Sequence, residues 1–390
     1  MPQWKQYSGI WTATQQAQAR AAETWTGLPF DAGIWFLGGY NNFGESGIND
    51  PSGTSKSSPV QIGSEDGWSD VDHVYETLAI KNGALFSWGR NDKGQLGLDD
   101  IIYRSSPVQV GALTNWAKVS TSSSKYSLAI KTDGTLWAWG DNNTGRLGTN
   151  EPITVERSSP VQVGSDTDWA YISAGGCSLA IKTNGTLWAW GDNGNGVLGL
   201  NIPTIGARSS PTQVGALTNW KEVNVDNVVA AVKTDGTLWA WGNGFDGATG
   251  LNSIISQSSP VQVGALTTWD KVTQSYSISN GAIKTNGTLW AWGRNSSGHL
   301  GIGNTVNKSS PVQVGSDTGW TQASFSNDGS GGILNSGLYM WGPNVNGELG
   351  TNSTTTTSSP VQVRADLTWS YVVAGAGNIS IALETGKTTT

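Results

Sequence analysis

The chain has 390 residues, a net charge of −7, 53 glycines and 21 tryptophans, and only 13% of its residues are charged. This acidic balance argues against nucleic acid as a partner, because binding to phosphates depends on clustered Lys and Arg. The single cysteine, Cys177, excludes an internal disulfide and lacks the companions that a zinc site needs. The chain also lacks an apolar run of membrane-spanning length and a signal-peptide pattern, so we expect neither membrane insertion nor Sec-type export.

Residues 1–30 form an N-terminal arm that precedes the repeated part of the chain. Residues 12–23 are rich in Ala and Gln, which favours a helix, and Trp4, Trp11 and Trp25 flank or begin this segment. Three tryptophans on a short arm favour contact with other protein surface. They either fold back onto the rest of the chain or dock into a neighbouring subunit as an assembly anchor.

Residues 31–386 consist of a repeat of about 51 residues. Three separate elements each occur seven times: a Leu-Trp-Ala-Trp-Gly motif or a looser copy of it, a Ser-Ser-Pro-Val-Gln-Val motif, and an isolated tryptophan. The four strict copies of the first motif are Leu136–Gly140, Leu187–Gly191, Leu238–Gly242 and Leu289–Gly293. The isolated tryptophans are Trp68, Trp116, Trp169, Trp220, Trp269, Trp320 and Trp369.

Each repeat reads as four short strands. Asp133-Gly134 joins two apolar stretches by the two-residue turn that is typical of a β-hairpin. The isolated tryptophan and the proline motif supply two further strands. The paired tryptophans of the first motif lie two residues apart, so they point to one face of the strand and can fill the space between neighbouring blades.

The first repeat begins at its third strand, and the last repeat stops after its second strand. The two ends therefore complete each other, which predicts a ring in which residues 34–38 pair with residues 379–384. The expected fold is an all-β, closed seven-bladed β-propeller with both termini in one blade. Residues 387–390 are left as a short tail, and no residues remain for a second domain.

These motifs resemble the regulator of chromosome condensation repeat family, most closely its bacterial and bacteriophage members. The resemblance covers residues 31–386 and includes the segment Asp141–Gly148 after the first motif. It implies a propeller of seven blades and several possible roles. The chain lacks the wedge insertion and basic tail of the family's exchange factor and the Gly-Trp-Arg-His-Thr pattern of its photoreceptor, which disfavours both roles. The family's secreted inhibitor of β-lactamase is a closer analogy, but export is not supported.

The segments that vary among the repeats are the candidate partner-binding surface. Tyr75, Tyr126, Tyr276 and Phe325 follow the first strand of their repeats, and we expect them to be exposed on one face of the ring. Phe245 belongs to a second variable set, with Tyr103, Arg104 and Arg157, that is expected on the opposite face.

The sequence carries no catalytic motif, and we expect no enzyme activity, cofactor or metal. His73 and His299 lie in distant repeats and are interpreted as loop residues.

The leading hypothesis is a non-enzymatic virion component of a bacteriophage, anchored by residues 1–30 and bound to other subunits or to a host surface molecule. The alternative is a bacterial binding module or enzyme inhibitor, either cytoplasmic or secreted by a non-classical route. Assembly into a homo-oligomer or a larger particle is compatible with both.

Overall fold

The computed structural model describes residues 33–50, 53–63, 67–202, 206–375 and 378–387. These residues form seven sheets of four or five strands, each packed against the next around a ring. The seven-bladed β-propeller predicted from the repeat count is therefore confirmed. The arm with Trp4, Trp11 and Trp25 lies outside the described residues.

We number the blades around the ring and give their strands from the innermost strand outward. Blade 1 comprises Leu367–Val373, Ile379–Lys387, Ile34–Gly39 and Val60–Gln61, and blade 2 comprises Trp68–His73, Glu76–Lys81, Ala84–Gly89 and Arg104–Gln109. Blade 3 comprises Trp116–Thr121, Tyr126–Lys131, Leu136–Gly140 and Arg157–Gln162, and blade 4 comprises Trp169–Ala174, Cys177–Lys182, Leu187–Gly191 and Arg208–Gln213. Blade 5 comprises Trp220–Val225, Val228–Lys233, Leu238–Gly242 and Gln257–Gln262, and blade 6 comprises Trp269–Val272, Ser279–Lys284, Leu289–Gly293 and Lys308–Gln313. Blade 7 comprises Trp320–Ser326, Ser330–Leu334, Gly337–Gly342 and Thr357–Val363, and the short strand Gln274–Tyr276 is added to it. Within the described residues, single-turn 3-10 helices span Gly194–Gly196 and Phe245–Gly247.

Blade 1 closes the ring with strands from both ends of the chain. Ile34–Gly39 pairs antiparallel with Ile379–Lys387, with Ile34 opposite Leu383, so the predicted pairing of residues 34–38 with 379–384 is confirmed. The Trp35 indole also donates a hydrogen bond of 2.5 Å to Glu384 Oε2. This closure leaves no open interface between a first and a last blade.

The second tryptophan of each Leu-Trp-Ala-Trp-Gly motif fixes its blade to the preceding one. Trp139 and Trp190 are fully buried, and their indole N–H groups donate to the backbone carbonyls of Gln95 and Arg146 in the preceding blade, at 2.7 and 2.9 Å. The packing role predicted for these tryptophans is confirmed. A buried indole both removes a large apolar area from water and satisfies its own donor.

The innermost strands are linked around the central channel by side chains that accept backbone N–H groups. Asp72 accepts from Thr121, and Ser120 accepts from Ala174, at 2.9 and 3.0 Å. Ser173 continues the pattern by accepting from Val225 at 3.0 Å. These bonds join neighbouring blades where no ladder pairing is available, so the channel wall is rigid.

The two faces of the ring carry different connections. Because the four strands of a blade alternate in direction, the links between strands one and two and between strands three and four lie at the same end. We call this end the loop face and the other end, with its tight hairpins and inter-blade links, the turn face. Both variable sets identified in the sequence therefore lie on the loop face, and the expected placement of Phe245 and Tyr103 on the opposite face is wrong.

Candidate functional site

The long loops of the loop face are held by one asparagine each. In blade 2, Asn91 Oδ1 accepts the backbone N–H of Leu96 at 2.9 Å, and its amide donates to the carbonyl of Asp100 at 3.1 Å. Asn295 makes the equivalent pair of bonds in blade 6 with Leu300 and Asn304, at 2.9 and 2.8 Å. A buried amide that bonds both ends of a loop fixes its conformation, because every alternative leaves polar groups unpaired.

Blade 5 departs from this arrangement. Gly244 stands where the other blades carry the loop asparagine, and the returning chain lies against it so closely that an added Cβ would come within 2.4 Å of the carbonyl carbon of Ile255. The backbone N–H of Gly244 donates to Ser256 Oγ at 3.2 Å instead. The loop is thus collapsed onto the glycine backbone.

The same loop presents a group of apolar side chains to solvent, which we call the blade 5 patch: Phe245, Ile254 and Ile255. They are 71%, 71% and 68% exposed. Asp246, next to Phe245, accepts hydrogen bonds from Arg294 Nε and Asn307 Nδ2 of blade 6, at 3.0 and 2.9 Å. The patch therefore stands on a braced support, and exposed apolar groups of this kind mark interaction sites.

A second cluster lies on the loop face of blades 1 and 2. Phe43 and Tyr103 make an edge-to-face contact with centroids 5.4 Å apart, and the Arg90 guanidinium lies 4.9 Å from the Phe43 ring. Arg90 also pairs with Asp92 at 2.7 Å, and Asp92 pairs with Lys125 of blade 3 at 2.8 Å. Although burial acts in the opposite direction, the hydrogen bonds from Lys125 and Arg90 lower the pKa of Asp92 to about 2.

Tyr276 spans the central channel. The strand Gln274–Tyr276 leaves blade 6 and pairs in parallel with Trp320–Ser326 of blade 7, and the Tyr276 hydroxyl donates a hydrogen bond to Asp72 of blade 2. Burial raises the pKa of Asp72 to about 7, even though this bond favours its charged form. The channel is therefore bridged by side chains from opposite sides of the ring.

The five residues predicted as a partner-binding surface occupy different environments. Phe245 is exposed, Tyr75 is half-buried beside Arg90, and Tyr276 lies within the channel. Tyr126 and Phe325 are fully buried, so their predicted exposure is wrong. Each fills a space between blades, where Tyr126 Oη donates to the carbonyl of Cys177 at 2.8 Å and Phe325 packs in one cluster with Ile283 and Ala291 of blade 6.

Ile254 and Ile255 were not among the partner-binding residues predicted from the sequence. The signal that could have found them is the pair of isoleucines itself, which interrupts an otherwise polar loop. The equivalent pair in blade 2, Ile101 and Ile102, is 65% and 63% exposed although Asn91 is retained there.

The described residues contain no group of three or more His, Cys, Asp or Glu side chains that could hold a metal ion. Cys177 is buried, and burial raises the pKa of its thiol far above neutrality, so it is not an activated nucleophile. His73 lies buried at the end of the strand Trp68–His73, which corrects its interpretation as a loop residue. In the described part of the chain, no helix has the length and apolar character required to cross a membrane.

A protein-family model described as the regulator of chromosome condensation (RCC1) repeat matches more than half of the chain. The matched stretches are residues 82–130, 133–180, 184–228, 286–332 and 335–383. A second model of the same repeat matches residues 116–146.

Similar curated proteins come from eukaryotes. The ultraviolet-B receptor UVR8 of Arabidopsis thaliana is 29% identical over 296 residues, which span 61% of this chain and 67% of the receptor. The probable E3 ubiquitin-protein ligase HERC6 of Homo sapiens is 32% identical over 184 residues, 45% of this chain but 18% of the ligase. A bifunctional kinase and NEDD4-like ubiquitin ligase of Dictyostelium discoideum is matched over 10% of its length. This chain thus corresponds to a small part of both ligases.

Solved structures share the fold at low sequence identity. Yeast RCC1 (Prp20) bound to Kap60 has a TM-score of 0.77 and 17% identity, with 100% of this chain and 95% of that chain covered. Prp20p of Saccharomyces cerevisiae, described together with its binding to Gsp1p and histones, has a TM-score of 0.77 and 18% identity over 93% of each chain. Human WBSCR16 has a TM-score of 0.76 and 18% identity, with 92% of this chain and 100% of that chain covered.

Proposed function

Because the chain belongs to the regulator of chromosome condensation repeat family, we propose that it is a non-catalytic ring that binds a protein partner through its loop face. The blade 5 patch is the main contact in this proposal. It carries the proposal because three exposed apolar side chains lie together on a support fixed by Asp246. The aromatic and charged cluster around Arg90 is the second contact on the same face.

The physical support for a protein partner is the cost of leaving the patch in water. Covering apolar surface stabilises a complex by about 25 cal/mol per Å², and a few well-packed anchors supply most of the affinity of an interface. Rigid loops add to this, because little conformational entropy is lost when the partner docks. The two yeast structures give a precedent for protein partners, because that propeller is described as bound to Kap60 and as binding Gsp1p and histones.

The proposal is tested with a variant of the blade 5 patch, Phe245→Ser with Ile254→Ser and Ile255→Ser. Partners are captured from an extract of the source cells, identified by mass spectrometry and then measured as purified proteins by calorimetry. We expect the dissociation constant of the genuine partner to rise by about tenfold to a hundredfold, which corresponds to roughly 1.4 to 2.7 kcal/mol.

The turn face offers a matched control. Leu113, Leu217 and Leu266 are 51%, 46% and 50% exposed in its inter-blade links. Changing all three to Ser removes a comparable apolar area from the other face, and we expect partner binding to stay at the level of the unmodified protein. Equal weakening in both triple variants, or weakening only in the control, would contradict a loop-face site.

The finer hypothesis of a bacteriophage virion component stays a prediction, and the eukaryotic relatives lend it no support. In that hypothesis, Trp4, Trp11 and Trp25 of residues 1–30 dock into a neighbouring subunit, and the site of action is the virion. Deletion of residues 1–30 would then abolish incorporation into particles and leave the propeller folded. Unchanged partner binding by a monomeric deletion variant favours the binding-module alternative instead.

A further inference from the structure

A groove opens on the outer side of the ring between blades 3 and 4. Its volume is about 300 Å³, and its wall includes Thr149, Asp166, Trp169, Trp188 and Ser210. It lies away from the loop-face patches described above. Volumes of this size are at the lower end of those that hold small-molecule ligands.

The groove lies where a threonine replaces an apolar residue of the repeat. Leu98 packs against the cluster that contains Trp137 at the junction of blades 2 and 3, and Leu251 packs with Trp290 at the junction of blades 5 and 6. Thr149 stands at the equivalent position between blades 3 and 4, where its hydroxyl donates to Glu151 at 3.0 Å. The indole of Trp188 is half-buried, like those of Trp137 and Trp290, and it lines the open volume.

A lysine that covers this indole elsewhere is drawn aside here. Lys131 Nζ lies 3.5 Å from the centroid of the Trp137 ring in blade 3, whereas Lys182 Nζ lies 4.9 Å from that of Trp188. Lys182 instead pairs with Asp166 and Asp168 of the link between the blades, at 2.7 and 3.0 Å. Both the apolar and the cationic neighbour that would cover the ring are thus displaced at the same junction.

The polar groups of the groove are a carboxylate that accepts hydrogen bonds and hydroxyl and amide groups that both donate and accept. The side chain of Asp166 is 53% exposed, and the hydroxyls of Ser165 and Ser210 lie on the groove wall. The indole N–H of Trp188 is already engaged with Thr186 Oγ1 at 2.9 Å, so it is not offered to a ligand. An apolar ring beside a carboxylate and several hydroxyl groups selects a ligand with an apolar face and many hydroxyl groups of its own.

We propose that this groove is a binding site for a neutral sugar in its pyranose form. The C–H face of the sugar packs on the Trp188 indole, and its hydroxyl groups donate to the Asp166 carboxylate and to the serine hydroxyls. A proline-rich peptide fits less well, because proline has no backbone N–H to donate to the Asp166 carboxylate.

The test is a titration of the intact, 15N-labelled protein with D-glucose, D-galactose, D-mannose and N-acetyl-D-glucosamine separately. Each sugar is added up to about 10 mM, which detects dissociation constants in the millimolar range. The indole N–H resonance of Trp188, assigned by its absence in Trp188→Phe, is expected to shift in a saturable way with at least one sugar. Thr149→Leu restores the residue type found at Leu98 and is expected to weaken the response at least tenfold without lowering the unfolding midpoint.

The matched control is Leu98→Thr, which alters the neighbouring junction and is expected to leave the Trp188 response unchanged. The proposal is overturned if none of the four sugars shifts the Trp188 resonance, or if Thr149→Leu responds like the unmodified protein. It is equally overturned if a proline-rich peptide shifts this resonance and the sugars do not.

Discussion

The contact between Tyr276 and Asp72 shows how single residues set the properties of the channel. Asp72 also accepts the backbone N–H of Thr121 at 2.9 Å, so its carboxyl bonds both a neighbouring blade and a distant one. Burial raises the pKa of the Tyr276 hydroxyl well above its usual value, and it remains a donor at neutral pH. The bond therefore stabilises the charged form of a carboxyl that burial disfavours.

Tyr276→Phe is expected to destabilise the protein more at pH 8 than at pH 5. At pH 8 the buried Asp72 carboxylate loses a hydrogen bond, which costs about 1 to 3 kcal/mol of unfolding free energy. At pH 5 the carboxyl is protonated, since its pKa is about 7, and the loss is smaller. Urea titrations at both pH values measure the difference.

Tyr40→Phe serves as the control, because Tyr40 is an exposed tyrosine on the loop face. Its unfolding free energy is expected to change little at either pH. A loss for Tyr276→Phe that is the same at pH 5 and pH 8 would show that the bond to Asp72 carries no charge-dependent contribution.

At the level of elements, the repeat motifs predicted the blades but not which other side chains fill the spaces between neighbouring blades. Leu136–Gly140 and its copies place indoles at regular intervals, so their packing follows from strand alternation alone. Tyr126 and Phe325 differ, because their burial depends on the neighbouring blade, which local sequence does not describe.

The closing strand Ile379–Lys387 provides the prediction at this scale. It pairs with Ile34–Gly39 on one side and with Leu367–Val373 on the other. Deletion of residues 379–390 leaves both neighbours with unpaired edges and opens the ring. We expect the thermal midpoint to fall by about 10 °C or more, or the cooperative transition to disappear, because several kcal/mol are lost. Circular dichroism measures both.

Truncation after Lys387 is the matched control for this deletion, since it removes residues 388–390 and keeps the closing strand. We expect its melting curve to overlay that of the full chain. A deletion of residues 379–390 that also melts like the full chain would contradict closure by paired termini.

For the whole molecule, similar blades provide the scaffold, and function is proposed where a copy departs from the others. Gly244 replaces a loop asparagine beside the blade 5 patch. Thr149 replaces an apolar residue in the wall of the lateral groove. Gln274–Tyr276 leaves its own blade and crosses to blade 7. Because the remaining copies hold the ring, each departure changes the surface locally and leaves the fold intact.

Buried carboxyl groups distributed over several blades give the whole ring an acid-favouring stability. Burial is the main cause of the raised pKa in every case. The values are about 6 for Asp70, Asp226 and Asp328, and about 7 for Glu45 and Asp72. In the unfolded chain these groups titrate near pH 4. Their contribution to stability is therefore fully present below about pH 4 and is lost as pH rises through 6 to 7.

We accordingly expect the thermal midpoint to be a few degrees higher at pH 5 than at pH 8. The free energy of unfolding is expected to be larger at pH 5 by about 1 to several kcal/mol. The contribution of Asp92 to the pH dependence of stability has the opposite sign, but its pKa of about 2 places this effect below pH 4. His299 opposes the trend, because burial lowers its pKa and its contribution is lost on acidification, but it is one group against seven, since burial also raises the pKa of Glu76 and Glu222. Calorimetry at both pH values tests the balance. Asp226→Asn, which fixes one group in a neutral form, should reduce the difference between the midpoints at the two pH values. A midpoint that is lower at pH 5 than at pH 8 would contradict the assignment of these carboxyls as neutral buried groups.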